Sequence, residues 1–197
     1  MDTVLKINTS ARRIGSVSRK LVDQLVDQLS SKQKTSRVIN RDLTQTDLPF
    51  LDEELLSAFN TPIGKRTSYQ DALVKTSNKL IDELRSADTI VIGLPIYNFG
   101  VPAVLKAWID LIARAGVTFK YSKGGPQGFL RDKEAYIIVV SNGTAFQGEA
   151  DFASNYIKHI LNFIGIDKVH FIAADRLIQN TEKKLTEAQQ KIEAIIG

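Results

Sequence analysis

The sequence predicts an α/β protein of the doubly wound type, a three-layer sandwich with a parallel sheet held between layers of helix. Two observations carry this. Short β-branched runs alternate with helical stretches in the order βαβαβαβαβα, with connections long enough for right-handed crossovers. Three of the runs, TIVIGLP, AYIIVVS and VHFIAA, are near-continuously apolar, as strands covered on both faces are.

The strands are expected at residues 4–7, 89–94, 135–140 and 169–173, with a weaker one at 37–39. Residues 18–29 place Leu21, Val22, Leu25, Val26 and Leu29 on one helical stripe, and residues 68–85 do the same with Leu73, Leu80, Ile81 and Leu84. Asp52, Glu53 and Glu54 read as a helix start enriched in negative charge. A helix over 102–114 opens on Pro102, where the missing N–H costs nothing. Only Lys106, Asp110 and Arg114 mark a solvated face on it, so it is expected to be buried on two sides, which hints at a homodimer interface. Residues 151–164 and 181–196 are the last two helices. The stretch GVTFKYSKGGPQGFL at 116–130 breaks the alternation and reads as a hairpin excursion at the edge of the sheet.

A chain of 197 residues is the size of one domain, and no linker, repeat or low-complexity segment divides residues 1–197. Hydrophobic residues at 43% and charged residues at 24% are those of an ordinary soluble protein. The absence of cysteine excludes disulfide frameworks, thiolate metal sites, iron–sulfur clusters and thiol nucleophiles. The first residues lack a signal-peptide core and no apolar run reaches membrane-spanning length, so no membrane association and a cytoplasmic location are expected. The net charge of +4 is spread in small basic groups and not gathered into a run, which argues against nucleic acid.

In open parallel sheets ligands bind beyond the carboxyl ends of the strands, where the strand order reverses. The loop after the first strand, TSARRIGSVS, carries Thr9, Ser10, Ser16 and Ser18, with Gly15 just before a helix begins. A helix N-terminus with added hydroxyl donors suits a phosphate. Capping of the helix is the plainer alternative, yet four hydroxyls exceed what one cap needs. Neither a dinucleotide fingerprint nor a Walker loop follows, which favours a mononucleotide or flavin phosphate. The loop after the third strand, LPIYNFGVP, is stiffened by Pro95 and Pro102 and offers Tyr97 and Phe99 as flat faces and Asn98 as a mixed donor and acceptor; core packing under a loop is the alternative. The loop after the fourth, SNGTAFQG, is small and polar, and glycine there lets backbone approach a ligand.

Side chains able to do chemistry unaided are scarce. His159 and His170 have no serine–acid or zinc-type neighbours and read as structural. A bound cofactor must carry any chemistry.

Taken together, the serine-rich first loop, the PIYNF segment at 95–99, LIARAGVTFKY at 111–121 and the ending FIGI at 163–166 resemble the FMN-dependent NADH-azoreductases, over essentially the whole chain. The resemblance implies a flavodoxin-like fold with five parallel strands in the order 2-1-3-4-5 and a homodimer with one FMN per subunit. It implies that Ser10, Ser16, Val17 and Ser18 hold the FMN phosphate, that Ile96, Tyr97, Asn98 and Phe99 bind the ring, and that Ser141, Asn142, Gly143 and Thr144 flank it. Tyr121 and Phe163 match aromatics of the substrate pocket, Phe163 from the partner subunit. Two positions depart from the family: Val17 stands where glutamine is frequent, and Asn142-Gly143-Thr144 where many members have Arg-Gly-Gly. The second change removes a positive charge near the substrate opening.

The implied activity is ping-pong transfer of hydride from NADH or NADPH through the flavin to quinones or azo compounds, with no metal. The rival is a flavodoxin-type electron carrier; such carriers present an acidic surface, whereas this chain carries +4. A receiver-type signalling domain would need clustered acids after the first strand, and a low-molecular-weight phosphatase would need a cysteine there.

Overall fold

The computed structural model describes residues 2–32 and 37–195. Five strands, β1 (Thr3–Asn8), β2 (Arg37–Asp42), β3 (Thr89–Pro95), β6 (Glu134–Val140) and β7 (Lys168–Ala174), form a parallel sheet in the order β2-β1-β3-β6-β7. With the intervening β4 (Phe119–Ser122) and β5 (Gly125–Gly128) set aside, this is the expected 2-1-3-4-5 order. The helices are α1 (Val17–Lys32), α2 (Glu53–Asn60), α3 (Ser68–Leu73), α4 (Lys75–Ser86), α5 (Ala103–Ile112), α6 (Phe152–Ile164) and α7 (Thr181–Ala194).

The layering follows from the two-residue period of the strands. Ile90, Ile92, Ile137 and Val139 pack beneath α4, α5 and α6, while the alternate residues Val91, Tyr136, Ile138 and Ile172 pack beneath α1 and α7. Local chemistry sets several helix starts. Asp52 caps α2 by accepting from the Leu55 N–H, with Glu53 and Glu54 in the first turn, as the acidic pattern predicts. Asp151 caps α6 through the N–H groups of Ala153 and Ser154.

Several elements depart from expectation. The helix expected over 68–85 is two helices, broken at Val74, with a Thr67–Gln70 capping box starting the first. Arg114 does not mark a solvated face. It lies beyond the end of α5 and is only 3% exposed. Its guanidinium sits 4.4 Å above the Phe59 ring centroid and donates to Ser77 Oγ and Asn78 Oδ1 at 2.9 and 2.7 Å. Burial without a carboxylate partner lowers its pKa to about 10, helped by repulsion from Arg66 and Arg85. The apolar breadth of α5 is likewise satisfied within one chain, because Leu105, Ala107, Trp108, Ile109, Leu111 and Ile112 are all buried there.

The run VHFIAA is not covered on both faces throughout. It forms the edge strand β7, whose first residues leave Lys168 and His170 exposed. His170 stacks on Tyr136 and pairs with Glu134 at 2.7 Å. The excursion at 116–130 is a hairpin, but it builds its own two-stranded antiparallel sheet and does not extend the main one. It docks against the last turn of α6, where the Leu130 N–H donates to Ile164 O at 2.9 Å. Contact there is close enough that a Cβ on Gly128 would lie 2.1 Å from Gly165 N, and Gly165 itself is a left-handed cap at φ +106°.

Candidate functional site

Parallel pairing in register, Leu5 with Ile90 and Ile92 with Ile137, brings the carboxyl ends of β1, β3 and β6 to one rim. The loops that leave it enclose a cleft of about 330 Å³. All twelve residues assigned to cofactor binding line this cleft: Ser10, Ser16, Val17 and Ser18; Ile96, Tyr97, Asn98 and Phe99; Ser141, Asn142, Gly143 and Thr144.

The four hydroxyls of the first loop divide by task. Thr9 Oγ1 donates to Gly93 O at 2.6 Å and pins the loop to β3. Ser16 Oγ accepts from the Arg19 N–H at 3.4 Å, so it caps α1, as the plainer reading held. Ser10 and Ser18 are not needed for the cap. They are 3% and 2% exposed, and their hydroxyls meet Tyr97 Oη at 3.4 Å and Ser16 Oγ at 3.2 Å respectively; Ser10 Oγ also accepts from the Arg12 N–H at 3.3 Å, which leaves its own proton to donate. Buried hydroxyls beside a helix N-terminus are a donor set suited to a phosphate, and Arg12 adds a cation to the same lining.

The second loop is a tight reversal. Tyr97 and Gly100 exchange backbone hydrogen bonds at 3.1 and 3.0 Å, and the residues between them, Asn98 and Phe99, have φ of 48° and 69°. Two successive positive φ values define a type I′ turn, which asparagine tolerates and phenylalanine resists. Tyr97 also does more than present a face: its hydroxyl accepts from the Ala11 N–H at 3.2 Å, tying the second loop to the first.

The third loop hangs on Ser141. Its hydroxyl donates to Thr144 O and accepts from the Arg176 N–H, while Ser141 O and Asn142 O accept from the N–H groups of Leu177 and Ile178 at 3.1 Å. Asp175 braces the same loop by accepting from the Phe146 N–H at 3.0 Å. Burial raises the Asp175 carboxyl pKa, but the Phe146 N–H, Lys184 and Arg176 outweigh it and hold it below the usual value.

Five further residues line the cleft: Gly15 and Pro95, which the sequence places in the first two loops without assigning them to the cofactor, and Arg12, Val140 and Leu177, which sequence reasoning missed. Leu177 follows the fifth parallel strand, at the strand end where the rule for open parallel sheets places ligand-lining loops. Tyr121 and Phe163 are not brought to the cleft of the same chain. Helix α6 runs away from the rim, so Phe163 meets Phe119 at 4.3 Å at its far end, and Phe119 in turn meets Tyr121 at 5.5 Å. Neither histidine lines the cleft. Among the described residues no group of three or more His, Cys, Asp or Glu side chains is placed to hold a metal ion, and no helix is long and apolar enough to cross a membrane.

A parallel 2-1-3-4-5 sheet with a hydroxyl-rich cleft at the β1 and β3 rim defines a flavodoxin-like protein. The family model described as flavodoxin-like fold matches residues 2–196, and the chain belongs to that family. It is 50% identical over 195 residues to the "FMN-dependent NADH:quinone oxidoreductase 1" of Jannaschia sp. (strain CCS1), covering 99% of both chains. It is 47% identical over 191 residues to the protein of the same name from Hahella chejuensis (strain KCTC 2396), covering 97% of this chain and 93% of that one. Among solved structures, an azoreductase from Bacillus anthracis str. Sterne superposes with a TM-score of 0.91 at 25% identity, covering 100% of this chain and 99% of that one. An FMN-dependent NADH-azoreductase from Bacillus anthracis str. Ames Ancestor, in complex with FMN, gives 0.88 at 25%, covering 100% and 98%.

Proposed function

We propose that this chain is an FMN-dependent oxidoreductase that takes electrons from NADH and reduces quinones, and that it also cleaves aromatic azo compounds reductively. The observation that carries the reading is the pair of buried hydroxyls, Ser10 and Ser18, present beyond the Thr9 anchor and the Ser16 cap, in one cleft with the Tyr97–Phe99 turn. The names of the relatives point to the same reaction.

Ser10, Ser18 and the N-terminal N–H groups of α1 would hold the phosphate, and Tyr97, Asn98 and Phe99 with Asn142, Gly143 and Thr144, which line the same cleft, would flank the ring. FMN bound there would supply two-electron hydride-transfer chemistry between NADH and an acceptor. The residues of this chain position and shield; none is required as acid or base, because a quinone takes its protons from water. Exposed aromatic faces at Phe99 and Phe152, joined by the Phe152 N–H donating to Phe99 O at 3.2 Å, suit planar acceptors. NADH and acceptor occupy the same open side in turn, which makes the kinetics ping-pong; NADPH serves as donor if the cleft tolerates its extra phosphate. Tyr121 and Phe163 reach a substrate pocket only across a homodimer, whose second copy would bring them to the cleft. The protein acts in the cytoplasm.

The test is spectroscopic. FMN added to the purified protein is bleached by NADH under anaerobic conditions and recovers its yellow absorbance on addition of a quinone. Bound FMN that neither NADH nor NADPH bleaches would make the protein an electron carrier, and no FMN binding would overturn both readings. Parallel lines in a two-substrate matrix support the ping-pong order; intersecting lines refute it.

A further inference from the structure

Arg19 stands outside the cleft, at the third position of α1, and its side chain folds back over the loop that precedes the helix. Nε donates to Arg12 O and Nη2 to Ser10 O, both at 2.9 Å. The two terminal nitrogens also grip both carboxylate oxygens of Asp42, at 2.7 and 3.1 Å. Asp42 is itself fixed, since it ends β2 and accepts from the backbone N–H and hydroxyl of Thr44 at 3.0 and 2.8 Å. Burial pushes the Asp42 carboxyl up, yet hydrogen bonds from Arg19 and Thr44 outweigh this and hold it below its ordinary value.

We propose that the Arg19–Asp42 pair is a positioning device for the first loop, gripping the Ser10 and Arg12 carbonyls so that the loop presents its donors to the cleft. In a trans peptide the C=O and the following N–H point in opposite directions. With Ser10 O drawn to Arg19, the Ala11 N–H is turned away from it, and it reaches the Tyr97 hydroxyl at the cleft. Drawing Arg12 O the same way turns the Arg13 N–H outward from the guanidinium. Because the carboxylate cancels the cation, the pair contributes orientation and little net field. A planar fork that serves two carbonyls and a carboxylate at once is a geometry lysine does not reproduce. The proposal rests on the reading that this loop takes the FMN phosphate.

The experiment compares the affinity of the purified full chain for FMN and for riboflavin, which lacks the phosphate, in wild type, Arg19→Lys, Arg19→Ala and Asp42→Asn, with melting temperatures alongside. A loop held in place by geometry predicts that both Arg19 variants lose about 10- to 100-fold in FMN affinity, while riboflavin binding changes by less than about threefold. Asp42→Asn, which keeps the arginine but loosens its anchor, should lose FMN affinity in the same selective way by a smaller factor. Unchanged FMN affinity in the variants overturns the proposal. So does equal weakening of both flavins, which marks general damage, and so does full rescue by lysine, which marks charge without geometry. Should Arg19→Ala fail to fold, Arg19→Lys and Asp42→Asn decide alone. A wild type that binds riboflavin as well as FMN would instead sink the phosphate assignment itself.

Discussion

The two ends of the sheet each carry a concavity, and the larger one lies opposite the candidate site. At the amino end of the strands a hollow of about 750 Å³ is lined by Asp88, Arg131, Lys133, Glu134 and Lys168, against about 330 Å³ at the carboxyl rim. Size therefore does not identify the site; what differs is the chemistry of the lining, mainly charged side chains at the amino end and mainly hydroxyls and loop backbone at the carboxyl rim. Lys133 Nζ donates to the carbonyls of Arg85 and Ala87 at 2.9 and 2.5 Å, Asp88 accepts from the Thr3 N–H at 2.8 Å, and Glu134 holds His170. Those charges tie down the beginnings of strands. At the rim, Ser10 and Ser18 are buried against other hydroxyls, and Asn98 and Phe99 hold a strained turn. Buried hydroxyls gathered at a helix start and backbone held off its preferred conformation set the carboxyl rim apart as the candidate binding end.

The sharpest way to break this contrast is to remove the donors. Ser10→Ala with Ser18→Ala should weaken FMN by about 3–6 kcal/mol, taking roughly 1.5–3 kcal/mol for each hydrogen bond to a charged group. Riboflavin titration is the control and should change little. Unchanged FMN affinity in the double variant would move the phosphate elsewhere and remove the distinction between the two ends.

Arg114 tests the other side of the comparison, because it is buried away from the cleft. Arg114→Met leaves Asn78 Oδ1 without its donor and removes the cation from the Phe59 ring, which should cost about 2–4 kcal/mol of folding stability. Denaturant titration measures it. The FMN affinity of the folded protein should stay within about threefold of wild type; a larger change would mean that the α2, α4 and α5 cluster and the cleft are coupled.

How far the sequence shows both ends follows from the range of the interactions involved. Strands β3 and β6 are visible because their apolar runs satisfy two faces locally, and the rim loops are visible because Ser, Gly, Pro and Asn punctuate them. The break at Val74 is not, since that residue stays near helical geometry at φ −80° and ψ −4° and is buried on the same helical stripe as Ser77, Leu80 and Ile81. Arg114 reads as solvated because its partners Phe59, Ser77 and Asn78 lie more than thirty residues away in the chain. The same holds for the Arg19 grip on Asp42 and for the Tyr97 hydroxyl on the first loop, separated by 23 and 86 positions. Composition of a loop shows that it can bind; which distant side chain holds it in shape is a property of the fold.

A smaller effect is expected from Phe99→Gly, which supplies the Asn-Gly pair that type I′ turns prefer. Relief of the left-handed phenylalanine, at φ 69°, is offset in part by the entropy of glycine, for a net gain of about 0.5–1 kcal/mol in stability. Since Phe99 is 56% exposed, little packing is lost. Quinone turnover should fall because an aromatic face of the cleft is gone, so melting temperature and activity move in opposite directions. A variant that is less stable would show that the turn is not strained.

The smallest expected effect separates the rim's own loops by pH. Asp42 braces the first loop and Asp175 the third, and both carboxyls are held below their ordinary value of 3.8 in the folded protein. A carboxyl depressed by folding contributes stability that is fully present above its unfolded value and is lost as pH falls through the folded one. Thermal stability should therefore be flat near neutrality and decline below about pH 4, with Asp42→Asn and Asp175→Asn each removing part of that decline. The two differ in what they hold. Protonating Asp42 releases the carbonyl grip behind the Ser10 loop and should lower FMN affinity more than riboflavin affinity. Protonating Asp175 loosens the loop from Ser141 to Thr144, which the proposed function sets beside the ring, and should lower both flavins alike. Acid profiles for the two flavins that fall together in wild type and in both variants would show that the first and third loops yield as one unit.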